Sequence, residues 1–320
     1  MNSRTAATPN PGEPVAGAPF KDAAELLVLA AIWGASFMLQ RIAAPEFGAM
    51  ALVEMRLLFG GLILLPFLIA SRRILRPYAG RLAIVGIVNS AIPFGLFAWG
   101  AERAPAAIGA ITNSMASLFA VLVAWMMFGE RIGGKRAIGL LAGFAGVIVL
   151  VGGKSAGLGI TSAAIAGVCA AMCYGLSGNL VKRWLSGLPP VATAAGTLAW
   201  STALMAPLAY AEWPSTAPST AAWFSAITLG VVCTGVAYAL YFRLISRLGP
   251  SRAATVTYLV PLFAVAWAWS VLGEPLTLPM ALAGVLILGG VAASQRAART
   301  QKTATPAVSG DRTCPAPGAA

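Results

Sequence analysis

Histidine is missing from this sequence, and charged residues fill only 10% of its 320 positions. A water-facing domain carries roughly a quarter of its residues as Asp, Glu, Lys or Arg. With less than half that share, confined to short stretches, water cannot be the main solvent of this surface. The missing imidazole removes the commonest general base and a common metal ligand, which argues against catalysis. The four cysteines do not replace it. Cys169 and Cys173 lie four apart in one apolar run, Cys233 in another and Cys314 near the C-terminus, with no carboxylate support for a metal. They read as buried, unreactive thiols. The sequence also lacks a phosphate-cradling P-loop, a GxGxxG in a βαβ setting and any zinc spacing. No cofactor and no metal is expected, and ATP hydrolysis is excluded as a power source.

What is abundant is apolar: 58% of the residues are hydrophobic, with a mean hydropathy of +0.81. Runs long enough for a bilayer occupy about 24–42, 49–70, 82–101, 104–128 and 136–152, then about 159–181, 191–211, 221–245, 251–272 and 279–295. Each approaches the ~20 residues a helix needs to cross ~30 Å of hydrocarbon. Unpaired backbone amides are too costly in lipid, so the runs must be helices or barrel strands. Their length, without a ten-residue polar alternation, excludes the barrel. The fold class predicted is an all-α membrane protein of ten transmembrane helices. The flanks at 1–23 and 296–320 are polar and rich in Pro, Ala and Thr, and read as disordered cytoplasmic tails without a cleavable signal peptide.

A net charge of +12 raises the question of nucleic acid, but the bases sit singly or in small groups between apolar runs, not in a stripe with interleaved aromatics. Membrane topology explains them better, because Lys and Arg accumulate in cytoplasmic loops. With the N-terminus inside, 18 of the 22 bases fall in cytoplasmic segments. Only Arg41, Arg103 and Lys154 lie outside, and Arg56 falls within a span. Both termini are therefore expected in the cytoplasm, in a bacterial-type inner membrane.

The second half of the chain echoes the first. "LFAVLVAW" at 118–125 matches "LFAVAWAW" at 262–269, an offset of 144 that also pairs Gly129-Glu130 with Gly273-Glu274, Gly86 with Gly230 and Arg103 with Arg247. An offset of 141 pairs "AIWGAS" at 31–36 with "MCYGLS" at 172–177, Arg41 with Lys182 and Pro66 with Pro207. Five spans per copy is an odd number, so the copies must cross the membrane in opposite directions. Charge agrees: 71–81 carries four arginines, whereas its counterpart at 212–220 carries no base and one acid, Glu212. Two inverted five-helix repeats, 24–152 and 153–295, are predicted around a central cavity. Inverted repeats are characteristic of secondary transporters with a midplane site that opens alternately to each side.

In "AAIWGASFMLQRIA" (30–43), "EMRLLFGGLILLP" (54–66), the long stretch from Ala104 to Gly152, and its echo "PSRAATVTYLVPLFAVAWAWSVLGEPLTLPMALAGVLILGGV" (250–291), the chain resembles the drug/metabolite transporter superfamily, specifically its ten-helix EamA-type exporters. The resemblance covers about 24–295 and implies a basket of ten helices around a cavity through which small metabolites or drug-like solutes leave. One departure is visible. Pro261 in the ninth span has Ser117 as its partner, where the family commonly has proline in both copies, so the fourth span is not expected to kink in the same way.

Glu54 and Arg56 are the only charges set well inside a span, at about 2.5–3.5 kcal/mol each near a helix centre. Two residues apart, they point to different faces. Arg56 matches the arginine of the family's second-helix motif; it serves substrate or gate, or it bonds carbonyls at a neighbouring helix end. Glu54 has the same alternatives. The other candidates for a substrate site are Trp33, Ser36, Gln40, Asn89, Ser90, Thr112, Asn113, Ser114, Tyr174, Ser177, Asn179, Tyr238, Tyr241, Thr257 and Tyr258. A transport site needs a few amides, hydroxyls and aromatic faces to replace substrate hydration; interhelical hydrogen bonding is the competing role for each. Glu130 and Glu274 read as loop or cap residues. Gly139, Gly143 and Gly146 indicate close helix contacts within the fold or, less economically, a dimer seam, so a monomer or a homodimer is compatible. The expected partners are a small-molecule substrate and the lipid bilayer. A carrier is the reading that uses every feature; a duplicated membrane scaffold, a lipid-modifying membrane enzyme and a channel are its rivals.

Overall fold

The computed structural model describes residues 19–130, 132–152 and 157–304. Helix α1 (Pro19–Phe47) meets α2 (Ala49–Leu75) at Gly48, whose φ of 73° is the left-handed conformation that side chains avoid. A 3-10 turn (Arg76–Tyr78) leads into α3 (Ala79–Gly86), a π-helical segment (Ile87–Ala91) and α4 (Ile92–Ala101). Helices α5 (Ala106–Asn113) and α6 (Ala116–Phe128) follow, then α7 (Gly134–Gly152), α8 (Leu158–Trp184) and α9 (Pro190–Ala211). Next come α10 (Thr220–Gly230), a second π-helical segment (Val231–Val236), α11 (Ala237–Leu248), α12 (Pro250–Ala253), α13 (Val256–Leu272) and α14 (Leu278–Ala304). No strand occurs among the described residues.

Among the described residues eight helical stretches are long and apolar enough to cross a membrane, one of them the 53-residue run Ala49–Ala101. At ~1.5 Å per residue that run would extend ~80 Å if straight, far beyond one bilayer. It folds back at the turn around Pro77, so that α2 lies beside α4 and both α2 and α3 pack on α9. Val256–Leu272 is apolar but shorter, because a turn at 254–255 separates it from α12. The predicted tails correct themselves at their inner edges: α1 already runs from Pro19 and α14 continues to Ala304. The polar composition of 296–304 argues against lipid, not against helix, since Ala, Arg, Gln and Lys are good helix formers. The remainder of both tails, Cys314 included, lies outside the described residues.

The outer surface is apolar. Leu141, Ile148 and Val285 are 69, 70 and 71% exposed, a cladding that only lipid can solvate. The interior mixes leucines with many small side chains, Ala30, Ala110, Ala164, Ala170 and Ala226 among them fully buried, as expected where helices associate by close backbone approach. Glycine decides the tightest crossings. A Cβ on Gly34 of α1 would lie 2.7 Å from Cβ of Phe263 in α13, and one on Gly175 of α8 would lie 2.7 Å from Cβ of Phe119 in α6. Gly230 in α10 sits against the Arg56 carbonyl of α2, and Gly86 in α3 against the Thr197 carbonyl of α9. Each of these contacts joins one half of the chain to the other. Each has its counterpart at the sequence offsets of 141 and 144.

The two π-helical segments also begin 144 residues apart. In the first, Pro93 has no N–H for the Asn89 carbonyl one turn back, which favours a widened turn. In the second, Thr234 donates its hydroxyl to the Leu229 carbonyl five residues back, at 2.9 Å. Both stand midway along their runs and face the molecule's interior.

Candidate functional site

Two chambers occupy that interior and share Trp33, Asn89, Tyr174 and Tyr238 as walls. The wider, about 620 Å³, runs to Lys182 and the turn between α8 and α9 at residues 185–190. The deeper, about 260 Å³, is lined by Arg56, Gln40, Ser36, Asn113, Ser114 and Thr257 among others. Beyond Gln40, towards Ala101 and Pro105, the space shrinks to about 10 Å³. The path is therefore wide at one end and shut at the other.

Among the described residues Arg56 is the one charge lining the deep chamber, and it is only 8% exposed. The close crossing of α2 with α10 brings it to the second π-helical segment. There its Nε donates to Thr234 Oγ1 at 3.0 Å, and its guanidinium carbon stands 3.8 Å from the centre of the Phe94 ring. Its two η nitrogens make no hydrogen bond to the described residues. Glu54, two residues away, is buried on another face with Oε2 unpaired among the described residues, and it lines neither chamber.

Aromatic rings form most of the remaining wall. Trp33 and Tyr241 lie 5.1 Å apart, Phe97 stacks on Tyr174 at 6.2 Å, and Phe37 meets Phe97 edge-on at 5.5 Å. Phe37, Phe94 and Phe97 are missing from the sequence candidates. A signal for two of them was present: the offset of 144 carries Tyr238 and Tyr241 onto Phe94 and Phe97. Polar groups punctuate the wall. Asn89 Oδ1 accepts from Ser177 Oγ at 2.9 Å. Gln40 donates to the Ser36 carbonyl at 3.0 Å while its buried Oε1 is unpaired among the described residues. Asn113 and Ser114 reach the chamber because α5 ends there and the chain turns before α6. The fourth span breaks at 114–115, between α5 and α6, and the ninth at 254–255, between α12 and α13, while α13 itself passes through Pro261 unbroken.

Of the sequence candidates, Arg56, Trp33, Gln40, Asn89, Asn113, Ser114, Tyr174, Tyr238 and Tyr241 line the chambers. Asn179 does not. It bridges the Ala120 and Gly175 carbonyls, both at 2.9 Å, and so ties α8 to α6. Tyr258 faces α14, its hydroxyl donating to the Val291 carbonyl at 3.4 Å.

The closed end is knitted by Arg41. It pairs with Glu274 Oε1 at 3.2 Å and donates to the Ala101 carbonyl at 2.7 Å, while Glu274 Oε2 accepts from the Ala106 N–H at 2.8 Å. Glu274 is thus a cap, as expected, and also one half of an ion pair. At the open end Lys182 and Glu130 stand 3.5 Å apart with side chains 78 and 51% exposed. On the starting turn of α1, Asp22 and Glu25 pair with Arg243 and Arg247 of α11.

A lipid-clad helical bundle with a polar and aromatic chamber open at one end defines a membrane transporter of small solutes. Comparison with known proteins agrees: the chain belongs to the EamA-like transporter family, whose model matches residues 24–152 and again 161–294. It is similar to the Uncharacterized transporter YvbV of Bacillus subtilis, 25% identical over 82% of this chain and 87% of that one. It is also similar to a Streptantibioticus cattleyicolor protein named "Probable terminal-alkyne amino-acid exporter", 26% identical over 82% and 91%, and to the Uncharacterized inner membrane transporter YedA of Escherichia coli K12, 25% identical over 79% and 83%. A solved crystal structure superposes with a TM-score of 0.58 over 88% of this chain and 99% of its own, at 20% identity, a likeness of fold. The chain is an integral membrane transporter, not an enzyme.

Proposed function

We propose that this transporter is a secondary carrier that exports a small solute by alternating access. In this reading the chain crosses the membrane ten times, as inverted repeats at 24–152 and 153–295, with both termini cytoplasmic in a bacterial-type inner membrane. The run Ala49–Ala101 counts as two crossings and α12–α13 supplies the tenth. The matched glycine crossings and the paired π-helical segments support a pseudo-twofold axis in the membrane plane. The substrate site is the deep chamber around Arg56, Trp33, Asn89, Asn113, Tyr174 and Tyr238. The carrier acts as a monomer or a homodimer.

One observation carries this reading. Arg41 and Lys182 are repeat counterparts at offset 141, and Glu274 and Glu130 at offset 144. Each pair joins one repeat to the other, so the two ion pairs are a single contact written twice, at opposite ends of the path. One is tight, half-buried and stands at the shut end; the other is loose, solvated and stands at the open end. A rocking of the halves that exchanged these roles would present the chamber to the other side. By the distribution of bases, the open end is the cytoplasmic one, which suits loading for export. The exporter name of the S. cattleyicolor relative supports the same direction.

The test is accessibility. In a chain freed of its four cysteines, a cysteine at position 186 should react with an impermeant maleimide only from the cytoplasmic side. One at position 40 should react slowly from outside and at least tenfold faster once Glu274→Gln loosens the seal. Equal rates at position 40 with and without Glu274→Gln, or reaction of position 186 from outside, would refute the gate.

A further inference from the structure

We propose that the deep chamber selects organic anions carrying a planar or apolar body and no positive charge. This rests on the carrier reading and names the substrate class of the same chamber. Arg56 supplies the first reason. A guanidinium offers five donors in a fixed fork and matches carboxylate or phosphate geometry with two of them. Here Nε is spent on Thr234 and one face on Phe94, whereas both η nitrogens are unbonded among the described residues. The fork's free edge is therefore left for a ligand, on a side chain more than nine-tenths buried.

No carboxylate answers that charge. Among the described residues neither chamber has an Asp or Glu in its lining, and the only other charged group lining either is Lys182 at the mouth, while Glu130 and Glu274 stand at the two ends of the path, each already paired with a base. Glu54 lies off the path on another face of α2. The inverted repeat gives no second charge either, since Thr197 occupies the position equivalent to Arg56 at offset 141. The site thus carries one uncompensated positive charge. The break before α6 adds to it: Ala116 and Ser117 open that helix on the chamber wall, and the first N–H groups of a helix favour an anion. An ammonium group would find no ionic partner here and would be repelled by Arg56. In the same chamber, Trp33, Phe97 and Tyr174 present ring faces and edges suited to a flat body.

A series of fixed shape and changing charge tests this: indoleacetate, tryptophan and tryptamine share one ring system and are anionic, zwitterionic and cationic. With the purified full-length carrier in detergent, binding is read by competition and by thermal shift. Indoleacetate is expected to bind at least tenfold more tightly than tryptophan and more tightly still than tryptamine, with benzoate also binding. Arg56→Gln should abolish the preference for the anion, and Arg56→Lys should retain most of it. Tighter binding of tryptophan or tryptamine, binding of neither anion, or an unchanged charge preference in a folded Arg56→Gln would overturn the proposal. Maleimide access at positions 40 and 186 reads the gate without any ligand, so failure of selectivity and failure of alternating access are told apart.

Discussion

A single arginine inside an apolar run is the residue on which the site turns. Placing it near a helix centre costs about 2.5–3.5 kcal/mol on insertion scales. A hydrogen bond to a charged group returns about 1.5–3 kcal/mol, and a guanidinium over an aromatic face about 0.5–2 kcal/mol. Thr234 and Phe94 together thus offset most of the burial of Arg56 while leaving its η nitrogens for work. Thr234→Val keeps the shape of the hydroxyl side chain and removes the acceptor. It should weaken substrate binding about tenfold, or about 1.4 kcal/mol, in a protein that still purifies as a single species; unchanged affinity would show that Thr234 does not hold Arg56 in place. Arg56 was legible in the sequence because a charge stands out among leucines. Phe94 and Phe97 were legible only through the offset of 144 that pairs them with Tyr238 and Tyr241, because an aromatic residue in an apolar run by itself looks the same whether it meets lipid or chamber. Asn179 and Tyr258 were misplaced for a related reason: polarity reveals that a residue avoids lipid, but a carbonyl on the next helix satisfies it as well as a substrate would.

At the scale of elements, apolar length and charge spacing revealed where helices run, not where they deform. Apart from Pro93 just after the first, nothing in the sequence marks the π-helical segments at 87–91 and 231–236 or the turn at 114–115, because Asn, Ser and Thr fit regular helix and widened turn alike. The glycine crossings are more transparent. Gly34 and Gly175 stand at equivalent positions of the two halves, and each accommodates a phenylalanine of the partner half. Gly34→Val and Gly175→Val should each destabilise by about 1–3 kcal/mol, the usual cost of overpacking, and by similar amounts because they disturb one contact twice. Gly284 meets nothing within 4 Å, so Gly284→Ala should be neutral or stabilise by about 0.4–1 kcal/mol through the unfolded chain. Thermal unfolding of the detergent-solubilised variants compares all three; a Gly284→Ala as damaging as the valine variants, or a harmless Gly175→Val, would contradict the packing described.

For the whole molecule, the all-helical membrane architecture could be read from hydropathy alone. The offsets of 141 and 144 pair Arg41 with Lys182, Glu130 with Glu274 and Gly86 with Gly230 along the chain, but that these positions join one half to the other emerges only from the fold. What one sequence does not display is which end of the path is shut, since both ion pairs are spelled alike and only packing distinguishes Arg41–Glu274 from Lys182–Glu130. Covalent locks on the two pairs interrogate the account most directly. Cysteines at 41 and 274, joined by a bifunctional thiol cross-linker, should stop transport and leave the chamber labelled only from the cytoplasm. Cysteines at 182 and 130, joined in the same way, should stop transport and leave it labelled only from outside. Transport that continues under either lock, or two locks that expose the same side, would contradict a carrier whose halves close on the solute in turn.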